Sequence, residues 1–206
     1  MNRTNNYALA AENAKKIFLS YDQPALIEKL ALSFDDAYLY TSFLGAPYRI
    51  ERLTGNLERR KNGAWVDGNS FDEVLSIFDL LCDSKDTRHP SHVFQSMASF
   101  GLQFHQTLTE SRDPLADFAQ RVPDAFRARL LALGGRETKG ADMAFVLPVF
   151  DSLELCLHFW FADEEFAPSI RILWDANALQ YIRYETMYYC IGCLRARIQE
   201  KCTAIA

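Results

Sequence analysis

Residues 143–175 read MAFVLPVFDSLELCLHFWFADEEFAPSIRILWD, and the spacing of apolar side chains along this stretch decides the fold. Met143 to Phe150 is apolar on both faces, as a central strand covered on two sides requires. Leu153, Leu155, Leu157, Phe159 and Phe161 then alternate with Glu154, Cys156, His158 and Trp160, the period of two expected of a strand with one buried face. Ile170, Ile172 and Trp174 repeat the pattern against Ser169, Arg171, Leu173 and Asp175. Burying both apolar rows together in an antiparallel pair sets Phe159 opposite Ile170. The same register puts His158 opposite Arg171 and Glu154 opposite Asp175 on the other face.

Working upstream, Leu39, Thr41 and Phe43 alternate with Tyr38, Tyr40 and Ser42, and Gly45 separates them from Tyr48, Ile50 and Arg52. Asn62-Gly63 signals a type I′ hairpin before the short strand Ala64 to Val66. Ser70 and Glu73 form a capping-box pattern ahead of a helical stripe of Phe71, Val74, Leu75, Phe78, Leu81 and Cys82. A helix is expected from about Ser91. Asp113-Pro114 opens another helical stretch, Pro123 divides it, and Gly134-Gly135 stops it. Helices also close both ends: Asn6 to Ser20 with Tyr7, Ala11, Ala14 and Phe18 in register, a second short one from Pro24, and a last one striped by Met187, Ile191, Leu194 and Ile198. The expectation is an α+β fold, with an antiparallel sheet formed by N-terminal and C-terminal strands, a helical middle and flanking terminal helices, in a single domain over residues 1–206.

Composition narrows the function classes. The chain has 206 residues, 49% hydrophobic and 24% charged, close to an ordinary globular average. Its 22 Lys and Arg against 27 Asp and Glu give a net charge of -5. That excludes a general nucleic-acid binder or a polybasic membrane patch, both of which need a basic surface. Met1 to Ser20 lacks the features of a secretion signal, and no apolar run reaches the ~18 residues of a membrane span, so a cytoplasmic location is expected. Five cysteines without a signal read as reduced thiols rather than a disulfide framework.

Four constellations can carry chemistry. Glu154 and Asp175, held together across the strand pair, would push one carboxyl pKa upward, with His158 for acid–base work and Arg171 for an anion. An ordinary cross-strand polar ladder accounts for the same residues. The acidic turn Asp163, Glu164, Glu165 offers oxygen ligands, but it lacks the spacing and the Gly of a calcium loop, so solvated carboxylates are expected. Cys190-Ile191-Gly192-Cys193 lies inside an apolar helix, away from the free amides that activate a redox thiolate, and reads as packing. His89 and His92 form a His-x-x-His pair that suits a transition metal only if further ligands converge, with His105 a remote third. No metal is assigned. Arg59, Arg60 and Lys61 precede a hairpin turn and read as a solvated tip. No dinucleotide fingerprint, Walker loop or nucleophile elbow is present.

Three segments carry a family resemblance. Asp163-Glu164-Glu165-Phe166-Ala167-Pro168-Ser169 with Ile172-Leu173-Trp174-Asp175, Tyr181 and Glu185 resembles the domain of unknown function 3786 family. Phe43-Leu44-Gly45 through Tyr48-Arg49-Ile50 is similar to it too, as is Gly140 with Asp142, Ala144 and Phe145. The likeness covers roughly residues 35–200. Within it Asp163, Glu165, Tyr181 and Glu185, together with Arg171, are the candidate ligand-binding residues. The likeness implies a place in anaerobic redox or corrinoid metabolism, beside a corrinoid or iron–sulfur protein, although the closely spaced four-cysteine cluster motif is missing here. Gln180, Arg183 and Thr186 depart from the family pattern. Two readings follow: a non-catalytic binding or accessory domain of such a system, or a small hydrolase or lyase using Glu154, His158 and Asp175. The first is preferred, and the cofactor is left unassigned.

Overall fold

The computed structural model describes residues 3–67, 69–101 and 113–200, with side chains from residue 8 onward. The chain starts with α1 (Arg3–Ser20) and α2 (Gln23–Leu30), the latter capped by Asp22. A meander follows: β1 (Ser33–Phe34), β2 (Tyr38–Phe43), β3 (Ala46–Glu51), β4 (Leu57–Lys61) and β5 (Ala64–Val66), paired in sequence order. Its tight turns are chemically determined. Leu44-Gly45 and Asn62-Gly63 both take positive φ at successive residues, the geometry of primed hairpin turns. Leu39 pairs with Ile50, and both are fully buried with Phe43 and Tyr48 on the inner face.

Ser70 caps α3 (Phe71–Asp83) with the full reciprocal box: Glu73 N–H donates to Ser70 Oγ at 3.2 Å, and Ser70 N–H to the Glu73 carboxylate at 2.9 Å. Beyond α3 lie β6 (Phe94–Gln95) and a 3-10 turn, Met97–Phe100. The helix expected from about Ser91 is therefore replaced, over the described residues, by an edge strand. The Asp175 carboxylate takes the Ser91 and His92 amides, and His92 turns to φ 57, which a helix cannot accommodate. His105 lies outside the described residues. Asp113 caps α4 (Pro114–Arg121), Pro123 opens α5 (Pro123–Ala132), and Gly134 follows at φ 81.

The second sheet contains β7 (Arg136–Glu137), β8 (Met143–Phe150), β9 (Leu153–Trp160) and β10 (Ser169–Asp175), in the order β6-β10-β9-β8-β7, antiparallel throughout. Phe159 sits opposite Ile170 and His158 opposite Arg171, the register expected from burying the two apolar rows together. α6 (Tyr184–Gln199) returns to pack on α3. The fold is α+β. Its N-terminal and C-terminal strands form two antiparallel sheets of five strands each, a division that alternation cannot reveal, because alternation reports faces and not partners. One continuous apolar cluster joins both sheets to the helices.

The β2–β3 turn is where these parts meet. Leu44 N–H donates to the Val149 carbonyl of the other sheet at 2.9 Å, and Arg197 of α6 donates to the Phe43 and Leu44 carbonyls at 3.1 and 3.2 Å. Gly45 lies so close to the end of α5 that a Cβ would overlap the Leu133 carbonyl, 2.6 Å from its carbon. Backbone on backbone cannot give way as a side-chain tip can. Gly45→Ala is thus expected to cost about 3 kcal/mol, strain and displacement together. Gly63→Ala, with the same sign of φ and nothing within 4 Å, carries the torsional cost alone. Thermal unfolding of the two variants should separate them clearly; equal losses would place no constraint at the Gly45 junction.

Candidate functional site

The outer face of the C-terminal sheet gathers Glu154, His158 and Trp160 of β9 with Arg171 of β10, because all four occupy outward register positions. Each has a defined neighbour. The Arg171 guanidinium lies 5.4 Å from the Trp160 ring centre, and His158 meets that ring edge-on at 5.6 Å. Gly140 closes over His158, where a Cβ would come within 2.9 Å of the imidazole. Burial, and then the Arg171 charge, lower the His158 pKa, so the ring is neutral at pH 7.

Glu154 is held by Arg136 in a two-pronged pair of 2.5 and 2.9 Å, with His92 Nδ1 a further 3.9 Å from its carboxylate. Arg136 faces Val146 in the register, so its aliphatic stem crosses the row of Val146 and Cys156 to reach Glu154. Both of those residues are buried on this otherwise half-exposed face. Sequence reading missed Arg136, since a two-residue strand behind Gly134-Gly135 is too short to show alternation.

Asp175 is only 1% exposed and is turned into the 91–92 backbone. It accepts from Ser91 N–H at 3.0 Å, Ser91 Oγ at 2.8 Å, His92 N–H at 2.8 Å and Asn177 N–H at 2.8 Å. Burial works to raise its pKa, but these donors outweigh burial and hold it below the ordinary carboxylate range. The shift opposes the upward one expected for a carboxylate pair.

The remaining candidates lie apart. Asp163 accepts Glu165 and Phe166 amides at 2.9 and 2.7 Å, which lowers its pKa and shapes the hairpin tip, while Glu165 is exposed. Tyr181 is fully buried, its hydroxyl 2.8 Å from that of Ser152, and Glu185 is exposed in the first turn of α6. His89 Nδ1 sits 3.1 Å from the Thr87 carbonyl, so the two imidazoles engage different partners. Among the described residues no group of three or more His, Cys, Asp or Glu is placed to hold a metal. Cys190 and Cys193 are buried in α6; burial pushes the Cys190 thiol up to about 12 and the Cys193 thiol up as well, away from a reactive thiolate. Cys202 lies outside the described residues. No helix among them is long and apolar enough to cross a membrane.

Asp175→Ala would strand several buried donors and is expected to destabilise the fold by about 3 kcal/mol. Because the folded pKa is depressed, the wild-type advantage is fully present above the unfolded value of about 3.9 and is lost as pH falls through the folded value. Denaturant unfolding of both proteins should show a constant difference from neutral pH down to about pH 5 that shrinks in more acid solution. A difference that grows on acidification contradicts this account.

The chain matches the family described as domain of unknown function (DUF3786) over residues 22–197, which includes both sheets, the acidic hairpin and nearly all of α6. No curated protein and no solved structure matches it. The chain belongs to the DUF3786 family.

Proposed function

We propose that this domain is a non-catalytic binding or accessory module, with the outer face and hairpin end of the C-terminal sheet as its contact surface. The observation that carries this reading is the state of the polar groups there. Glu154 is neutralised by Arg136 and Asp175 is saturated with donors, so neither is poised to exchange a proton with a substrate. What the face leaves accessible is a recognition chemistry. Arg171 is exposed over half-buried Trp160, and Phe166 is 68% exposed at a tip carrying Glu164 and Glu165. Aromatic and Arg side chains of this kind dominate the energetics of protein interfaces. The family resemblance supplies the partner class: a corrinoid or iron–sulfur protein of anaerobic redox metabolism.

The test is an anaerobic binding titration against a corrinoid protein carrying a four-cysteine iron–sulfur domain. Saturable binding is expected, weakened about tenfold or more by Trp160→Ala or Phe166→Ala, the truncation of an anchoring aromatic. Absence of binding by the wild type would overturn the partner class. Turnover of an ester or phosphoester substrate that is abolished by His158→Ala would instead make the domain a hydrolase and overturn the non-catalytic reading.

A further inference from the structure

Arg59, Arg60 and Lys61 do more than decorate a hairpin tip. They line a recess between that hairpin, the β2–β3 turn, the end of α5 and the last turn of α6. Two adjoining cavities, of about 480 and 330 Å³, share Arg59, Lys61, Arg197 and Glu200 as a common wall. Each is large enough for a small ligand. The smaller one is lined by five cations, Arg59, Arg60, Lys61, Arg129 and Arg197, against a single carboxylate, Glu200. In a chain of net charge -5 that concentration is local, not a reflection of composition.

Intramolecular partners do not balance it. Glu200 is shared by Arg59 at 2.6 Å and Lys61 at 3.1 Å, and Glu73 by Arg197 at 3.2 Å and Arg59 at 3.5 Å. Arg129 donates to the Ile198 carbonyl at the end of α6 and faces the Phe118 ring, while Arg60 faces the Trp65 ring at 5.9 Å; neither has a carboxylate partner among the described residues. Five cations therefore face two carboxylates. Arg197 lies against the same recess with its side chain only 4% exposed. A charge so little covered by water is weakly screened, so it adds to the attraction for an anion there without itself reaching into the cavity.

We infer that this recess binds a small, multiply charged anion of the phosphate class, held by Arg60, Lys61 and Arg129 over the buried charge of Arg197. Guanidinium groups suit phosphate oxygens through paired N–H donors. A recess walled on several sides suits a free ligand better than a flat lipid surface. Glu200, bridging Arg59 and Lys61, occupies the position of a competitor for the same cations. The site is separate from the C-terminal sheet face, so either assignment can fail without the other.

Calorimetric titration of the protein with inorganic pyrophosphate at low ionic strength tests it. One saturable site is expected, weakened by added salt, and weakened about tenfold or more by Arg60→Ala combined with Lys61→Ala. Arg127→Ala, which removes an exposed cation paired with Glu137 on α5, should leave the affinity unchanged. Glu200→Gln should tighten binding by releasing Arg59 and Lys61. Failure of the wild type to bind, or equal weakening by Arg127→Ala, would overturn the inference. So would sedimentation of the protein with phosphatidate-containing vesicles that the Arg60→Ala, Lys61→Ala variant loses, since the ligand would then be a lipid headgroup.

Discussion

Arg197 holds a full positive charge in a place that is 7% exposed, and the architecture around it exists in the form needed to make that tolerable. Removing a guanidinium from water costs several kcal/mol, which only close, well-aligned acceptors offset. Here they come from three directions: the Phe43 and Leu44 carbonyls of the β2–β3 turn, the Tyr48 hydroxyl of β3, and the Glu73 carboxylate of α3. The same Glu73 completes the capping box of α3 and accepts from Tyr48 at 2.5 Å. One side chain on the last helix thus fixes the first sheet's central turn and the start of the central helix. The turn in turn reaches the second sheet through Leu44 and Val149, and α5 through the close approach of Gly45 to Leu133. Local elements and long-range contacts agree at this point, as a uniquely folded sequence requires.

The same economy of polar groups governs the C-terminal sheet. Its apolar inner face is largely buried, and on its outer face Glu154 and Arg136 neutralise one another in fixed geometry. Asp175 works as a clip, converting what would be a free loop into an ordered turn and an edge strand, β6, beside β10. Acid–base chemistry needs a group left partly unsatisfied until the substrate arrives. Recognition needs accessible aromatic and cationic surface on a rigid support. The outer face fits the second description.

Much of this was legible in the sequence. The β9–β10 register followed from two alternating apolar rows, because a one-residue slip would have exposed every one of them. The capping box, the Asn62-Gly63 turn and the Pro123 break are likewise local chemistry, and they stand where the residues placed them. What the sequence concealed were partnerships across distance. Arg136 and Glu154 are 18 residues apart, Ser91 and Asp175 are 84, and Arg197 and Phe43 are 154. No periodicity encodes such pairs. The basic recess was hidden for the same reason: a charged triplet beside a hairpin turn looks solvated until two helix ends are brought against it.

The account stands or falls on Asp175 being scaffolding rather than chemistry. Carbon-detected NMR titration of the side-chain carboxyls in the native protein measures this directly. Asp175 should stay ionised below the ordinary aspartate value of about 3.9, titrating only as the fold itself begins to fail. A titration moved upward toward neutrality, as expected for one of two carboxyls sharing a proton in an active site, would contradict it.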